Sequence, residues 1–387
     1  MAEESKVRRI KVAFVTTYDP TDMHAWSGTG FNILQALRNS GLDVDVIGPL
    51  QDKFSFFSKL KFLYRKLLNV KYLRWLEPIV AINYAKQVQK RIKGKDYDVV
   101  FSLGTAPIAY LKTDKPVVFW SDATFAGLTG FYSDFTGLID ETLKNGNTVE
   151  QLALTKARLA IFSSEWAARS AIENYEVDGR KVKVVPFGAN MDCDRDLYAI
   201  DEIARNNSHD CCRVLFIGVD WNRKGGARAI ELAQLLNARG IKTELHILGC
   251  VPPVNVPDFV KVHGFISKKT QDGRDFFEKM MRESHFLIGP SKAECYGLVF
   301  AEASSFGLPS IVSKVGGIPS VIVNGKNGYT LELTATAQDY CRVIERLFDS
   351  RREYEELARS TFRQYTMRLN WTVAGEKVRE LIAIHCS

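Results

Sequence analysis

Arg213-Val-Leu-Phe-Ile-Gly218-Val-Asp220-Trp-Asn-Arg223-Lys224-Gly225-Gly226 is the stretch on which the fold turns. The apolar run Arg213–Ile217, closed by Gly218, reads as a buried strand. The polar turn Asp220–Gly226 leads into a helix from about Ala227 to Arg239, with Gly240 at its C′ position. The same opening stands near the N-terminus: a strand at Ile10–Thr17, a polar loop at Tyr18–Ser27, then a helix over Thr29–Asn39 with Gly41 past its end. Further strands are expected at Val44–Ile47, Val99–Ser102, Val117–Trp120, Leu159–Ser163 and Lys183–Val185, and beyond the quoted stretch at Thr243–Leu248, Val260–His263, Phe286–Ile288 and Ser310–Val312. Strands alternating with helices predict parallel, doubly wound α/β sheets. The restart after the polar stretch Asp192–Asp210 predicts two Rossmann-like domains, 1–195 and 205–365, with a linker near 191–210. Facing each other, they would bind ligands in a cleft beyond the carboxyl ends of their strands. A final helix within 366–387, with Val373, Val378, Leu381 and Ile382 on one apolar face, is expected to pack back on the first domain.

The 387 residues are 46% hydrophobic and 25% charged, which excludes a disordered or collagen-like chain. No apolar run approaches the ~18–20 residues of a membrane-spanning helix, and no apolar signal region follows the N-terminal Met-Ala-Glu-Glu-Ser-Lys. Seven cysteines, of which only Cys211 and Cys212 are adjacent, fit no disulfide framework and no C-x-x-C pair. The expectation is a cytoplasmic, reduced protein. The net charge is +7, and the seven cations between Lys53 and Leu76, with no acidic residue among them, account for all of it. A nucleic-acid binder would spread its cations over a face or stripe, so no nucleic-acid partner is expected.

Chemistry concentrates in Pro290-Ser-Lys-Ala-Glu294-Cys-Tyr296-Gly297-Leu298-Val-Phe-Ala-Glu302-Ala. It follows a buried strand and precedes a helix beginning near Leu298. The amides of Tyr296, Gly297 and Leu298 would be free donors at that helix start, a ready anion site. Glu302, about one turn into the helix, offers two acceptors for the two hydroxyls of a ribose, and Glu294 in the loop could hold sugar hydroxyls. In isolation either glutamate reads equally well as a solvated charge, Glu294 as a helix cap.

The surrounding motifs change that balance. They are Val315-Gly-Gly317-Ile-Pro-Ser-Val-Ile-Val-Asn-Gly325-Lys-Asn-Gly328-Tyr, Phe216-Ile-Gly218-Val-Asp-Trp-Asn-Arg223-Lys224 and Val185-Pro-Phe-Gly188-Ala-Asn190. Together they resemble the retaining glycosyltransferases of family 4, which have the GT-B architecture, and Glu294 and Glu302 match that family's E-x7-E pair. The resemblance is specific over 183–330 and looser over 10–182, through Trp26-Ser-Gly-Thr-Gly30 and Ser163-Ser-Glu-Trp-Ala-Ala168. It implies transfer of a hexosyl group from a nucleotide-sugar, a UDP-sugar first among them, to an acceptor hydroxyl with retention of configuration and without a metal or other cofactor. The acceptor would be a carbohydrate, a lipid-linked molecule or a protein. Lys224 matches the lysine that neutralises the donor diphosphate, with Arg223 as its helper. Glu294 matches the residue on the donor sugar, Glu302 that on the ribose, and Gly297 and Leu298 the backbone donors to phosphate. One departure is Val219, where the family often has an arginine. Alternatives are a GT-B-like sugar-nucleotide epimerase, a phosphorylase, or a non-catalytic sugar-nucleotide-binding subunit.

In the first domain Gly28 and Thr29 lie between strand and helix, a second backbone-amide anion site. Asp122, directly after a buried strand, either polarises the acceptor hydroxyl or is a helix N-cap or loop-fixing aspartate. His263, followed by Phe265, either lines the nucleotide-base pocket or is a core or rim histidine. Asp43-Val-Asp45 and Asp192-Cys-Asp194 spell the D-x-D of metal-dependent glycosyltransferases, but no third ligand is in view and loop chemistry is the better reading. The basic stretch Lys53–Leu76 also carries seven aromatic residues, and Phe56, Leu60, Leu63 and Leu67 would share a helical stripe with cations off it. It reads as a core-packed insert, as a dock on an anionic membrane surface for a lipid-linked acceptor, or as a grip on a soluble acceptor.

Overall fold

Short runs rich in Val, Ile and Phe, largely buried in the inner strands and partly exposed at the edges, form two six-stranded sheets in which every pairing is parallel, as sheets covered by helices on both sides require. The computed structural model describes residues 9–23, 25–52, 63 and 70–386. The first sheet holds β1 (Lys11–Val15), β2 (Asp43–Ile47), β3 (Val99–Ser102), β4 (Val117–Ser121), β5 (Leu159–Phe162) and β6 (Val182–Val184), in the order β2-β1-β3-β4-β5-β6. The second holds β7 (Cys212–Ile217), β8 (Thr243–Leu248), β9 (Val260–Gly264), β10 (Phe286–Gly289), β11 (Ser310–Ser313) and β12 (Gly328–Leu331), ordered β12-β11-β10-β7-β8-β9. Strand order reverses between β1 and β3 in one sheet and between β7 and β10 in the other. These are the switch points where open α/β sheets bind ligands.

The chain divides into two compact units: one runs to Val185 and takes up Trp371–Ser387, and the other is Pro186–Asn370. The division falls earlier than the polar stretch 191–210 implied, because the helix Leu197–Asn206 sinks Ile200 and Ala204 into the second unit's core beside Leu357 and Ala358. It also falls later than residue 365 at the far end, since the helix Arg351–Arg368 buries Tyr354 and Phe362 in that same core. The last helix, Trp371–Cys386, belongs to the first unit, as its apolar face predicts. A close approach is also made by a residue outside that face. Gly375 lies against the helix Thr29–Asn39, where an added Cβ would stand 2.4 Å from the Ala36 carbonyl oxygen, while Val373 is only half-buried. Trp120 at the end of β4 is fully buried, donates from Nε1 to the Val185 carbonyl at 3.1 Å and meets Trp371 edge-on.

Glu150, on the helix Asp140–Lys156, is a carboxyl inside the first unit. The Thr105 hydroxyl, beyond β3, donates to its Oε2 at 2.8 Å, while Oε1 has no partner among the described residues. Burial pushes its pKa from 4.5 up to about 7 in spite of that donor. Between those values the unfolded chain ionises Glu150 while the folded protein keeps it protonated. Stability therefore falls as pH rises through that window, by on the order of 3 kcal/mol, and is flat above it. Thermal melts of Glu150→Gln should show a stability advantage over wild type that widens from about pH 4.5 to 7 and then holds. A gap that does not change with pH would mean that the buried carboxyl is ionised throughout.

Candidate active site

β7 and β10 are neighbours, with Val214 opposite Phe286 and Phe216 opposite Ile288, so the loops leaving their carboxyl ends must meet. Beyond β7, Asp220 caps the short helix Trp221–Lys224 by accepting from the Arg223 amide at 3.0 Å. Gly225 ends that helix with φ +78°, and a Cβ there would lie 2.1 Å from the Pro290 carbonyl oxygen; only glycine lets the two loops touch. They are then stitched together: the Lys292 amide donates to the Arg223 carbonyl at 2.8 Å, and Arg223 Nη1 donates to the Ala293 carbonyl at 2.9 Å.

The outcome is a carboxylate between two cations. Glu294 is 9% exposed, its Oε2 accepts from Lys224 Nζ, and Arg223 Nη1 lies 3.4 Å from the same oxygen. A carboxylate so withdrawn from water needs such partners. The Gly317 amide donates to the Glu294 carbonyl at 3.0 Å, which ties this loop to the one after β11. Next comes Gly297, at φ +91°, opening the helix Leu298–Ser304. Among the described residues nothing accepts from the amides of Tyr296, Gly297 and Leu298. The Tyr296 side chain itself faces away from that role: it is buried, its hydroxyl donates to the Phe187 carbonyl at 2.6 Å, and burial raises its pKa. Glu302 is 5% exposed and accepts on Oε1 from Lys268 Nζ at 2.7 Å. Lys268 carries no motif and sequence reasoning passed over it.

His263 is taken up by its neighbours. Its Nε2 is 3.1 Å from Nδ1 of His246, the rings stack in parallel, Phe276 meets it from another side, and burial lowers the pKa of both imidazoles. Phe265, two residues on, is 69% exposed.

In the first unit the loop after β1 turns through three successive left-handed residues, Trp26 (φ 49°), Ser27 (φ 55°) and Gly28 (φ 80°). For the two that are not glycine this costs ~1–2 kcal/mol each. Gly28 opens the helix Thr29–Asn39 and accepts from Asn32 Nδ2 at 2.9 Å. The buried Thr29 hydroxyl has no partner among the described residues. Asp122, beyond β4, accepts from the Trp26 indole at 3.3 Å. It does not cap the following helix: Thr124 does, accepting from the Gly127 amide at 3.0 Å. Burial, and after it the charge of Asp122, raises the pKa of Tyr18.

Of the D-x-D pairs, Asp45 accepts from the Tyr97 hydroxyl at 2.9 Å. Among the described residues no group of three or more His, Cys, Asp or Glu could hold a metal ion. Within the basic stretch, residues 53–62 and 64–69 lie outside the described residues, so most of that amphipathic pattern does too. Lys71 donates to the Ser133 carbonyl at 2.7 Å, Arg74 pairs with Asp52 at 2.6 Å, and Trp75 is partly exposed. No helix among the described residues is long and apolar enough to cross a membrane.

Residues 200–364 match the family described as glycosyl transferases group 1, and residues 31–192 match that described as glycosyltransferase family 4. The lipopolysaccharide glucosyltransferase WaaG of Escherichia coli is 22% identical over 313 residues, 78% of this chain and 75% of that one. Among solved structures, sucrose-phosphate synthase from Thermosynechococcus elongatus superposes with a TM-score of 0.66 at 16% identity, over 97% of this chain and 99% of that one. HepE of Anabaena in complex with UDP does so with a TM-score of 0.66 at 15% identity, over 97% and 100%; HepE has also been solved with UDP-glucose. With both units matched by family and by fold, the chain belongs to glycosyltransferase family 4 and has the GT-B fold.

Proposed function

We propose that this glycosyltransferase moves a hexosyl group from a nucleoside-diphosphate sugar, a UDP-sugar first among them, to an acceptor hydroxyl, with retention of configuration and without a metal. The observation that carries the reading is the pair of cations, Lys224 and Arg223, held on the buried Glu294 beside the unbonded amides of Tyr296, Gly297 and Leu298. A nucleoside diphosphate gains negative charge as its bond to the sugar breaks. Fixed cations and amide donors at that place favour the transition state over the ground state. The helix behind the amides has seven residues, so the donors themselves, more than its dipole, do the binding. In this reading Glu294 holds the donor sugar, Glu302 takes the ribose hydroxyls, and Gly28 and Thr29 offer amides to an anion. Asp122 polarises the acceptor hydroxyl. The complexes of HepE with UDP and UDP-glucose support a uridine nucleotide, and family membership supports retention.

The acceptor is a carbohydrate, a lipid-linked molecule or a protein. The seven cations and seven aromatic residues of 53–76 favour the lipid-linked one, presented at an anionic membrane surface on the cytoplasmic side. Each cation near such a surface is worth ~1 kcal/mol. Nucleotide release that requires an added acceptor separates the transferase from an epimerase, from a phosphorylase dependent on inorganic phosphate, and from a non-catalytic subunit.

Glu302→Ala should weaken binding of the nucleoside diphosphate by ~1–3 kcal/mol in calorimetry; unchanged affinity would remove the ribose from that helix. Lys224→Ala should lower kcat more than it raises KM, and EDTA should leave turnover intact. Metal-reversible loss of activity would revive the D-x-D reading. Co-sedimentation with phosphatidylglycerol vesicles at low salt should be lost on changing Lys59, Lys61, Arg65 and Lys66 to Ser. Failure of the wild type to bind those vesicles would leave 53–76 to a soluble acceptor or to the core.

A further inference from the structure

Glu302 is almost wholly buried, and one of its two oxygens is already taken by Lys268 at 2.7 Å. That lysine is fixed more firmly than a surface lysine. Its ammonium lies 4.0 Å from the centre of the Phe277 ring, a cation–π contact. Its backbone sits in a braced turn: Arg274 Nη1 donates to the carbonyls of Lys268 at 2.9 Å and Lys269 at 3.0 Å, and the Thr270 side chain accepts from the Gly273 amide at 3.2 Å. The same turn follows directly on the exposed Phe265. Backbone, ring and carboxylate thus agree on one position for the ammonium.

We infer that Lys268 is a specificity-determining residue: it fixes the plane of the Glu302 carboxylate so that both hydroxyls of a ribose are read, and a 2′-deoxyribose is rejected. The inference rests on the proposed placement of the nucleoside diphosphate at Glu302. A carboxylate meets two vicinal hydroxyls together only if it does not rotate, and a partner on Oε1 stops the rotation. A nucleotide lacking the 2′-hydroxyl then leaves a buried, charged acceptor without its donor. Sites built to hydrogen-bond a hydroxyl discriminate strongly for that reason. Without Lys268 the carboxylate turns freely, and the advantage of the second hydroxyl falls.

Calorimetry with UDP, GDP and ADP and with their 2′-deoxy counterparts tests this, using whichever base binds tightest. The wild type should prefer the ribonucleotide by roughly tenfold or more. Lys268→Met, checked for an unchanged circular dichroism spectrum and melting temperature, should reduce the preference to about threefold or less by weakening the ribonucleotide alone. Lys268→Arg should restore it. A Lys268→Met protein that keeps the full preference, or a wild type with none, overturns the inference. Glu302→Ala separates the two levels. If it loses ribonucleotide affinity while Lys268→Met keeps the preference, only the role of Lys268 fails. If it binds the ribonucleotide as the wild type does, the placement of the nucleotide fails as well.

Discussion

A carboxylate shut away from water has to be met by positive charge, and much of the second unit is arranged so that Glu294 is met twice. Lys224 and Arg223 reach it from the loop after β7, which is possible because β7 and β10 are adjacent where the strand order reverses. Adjacency alone would leave a gap between the loops. Gly225, with no side chain against the Pro290 carbonyl, closes it, and the bonds from Lys292 to Arg223 and from Arg223 to Ala293 hold it closed. Removing both cations would strand a buried charge, which is among the costliest things a fold can contain.

The same constraint prepares the site for its chemistry. Lys224 and Arg223 are mostly withdrawn from water, and their hydrogen bonds hold them on Glu294 and on the loop that carries it. In the proposed reading, an incoming diphosphate would meet charges that need little reorganisation, which is where most electrostatic catalysis comes from. Glu302 and Lys268 repeat the device one turn along the helix Leu298–Ser304, again with a buried acid and a braced cation. The motif that looks like two glutamates in the sequence is, in the folded chain, two ion pairs.

How much of this was legible depended on how strongly each residue type is tied to one environment. The strands from β1 to β11 announce themselves because Val, Ile and Phe runs have few other uses, whereas β12 opens on Gly328 and continues through half-buried residues, leaving little apolar pattern. The unit boundary was misplaced because polarity marks exposed loops and not the ownership of a helix: the amphipathic Leu197–Asn206 looks like linker until Ile200 is seen in the core. Glu294, Glu302 and Lys224 were singled out through the family resemblance of the motifs that carry them, and the fold brings Lys224 onto Glu294. Lys268 was not, since a lysine in a polar loop gives no sign of what lies above it. Tyr296 was legible only in its backbone, and its hydroxyl went unforeseen to the Phe187 carbonyl. The contact of His263 with His246 gave no sign in the sequence, since the two residues are seventeen apart on different strands.

The first unit is discontinuous, and this gives the chain a history. Synthesis delivers its residues up to Val185 and then the whole of Pro186–Asn370 before the helix Trp371–Cys386 emerges. At ~5–20 residues per second the ribosome needs on the order of 10–40 s for that interval. Throughout it, the surface around Ala36 that Gly375 will later cover stands open. The unit that is begun first is therefore finished last, and the nascent chain carries an uncovered helix face while the second unit is being made. A chain truncated shortly before Trp371 would hold a complete second unit and an unfinished first one.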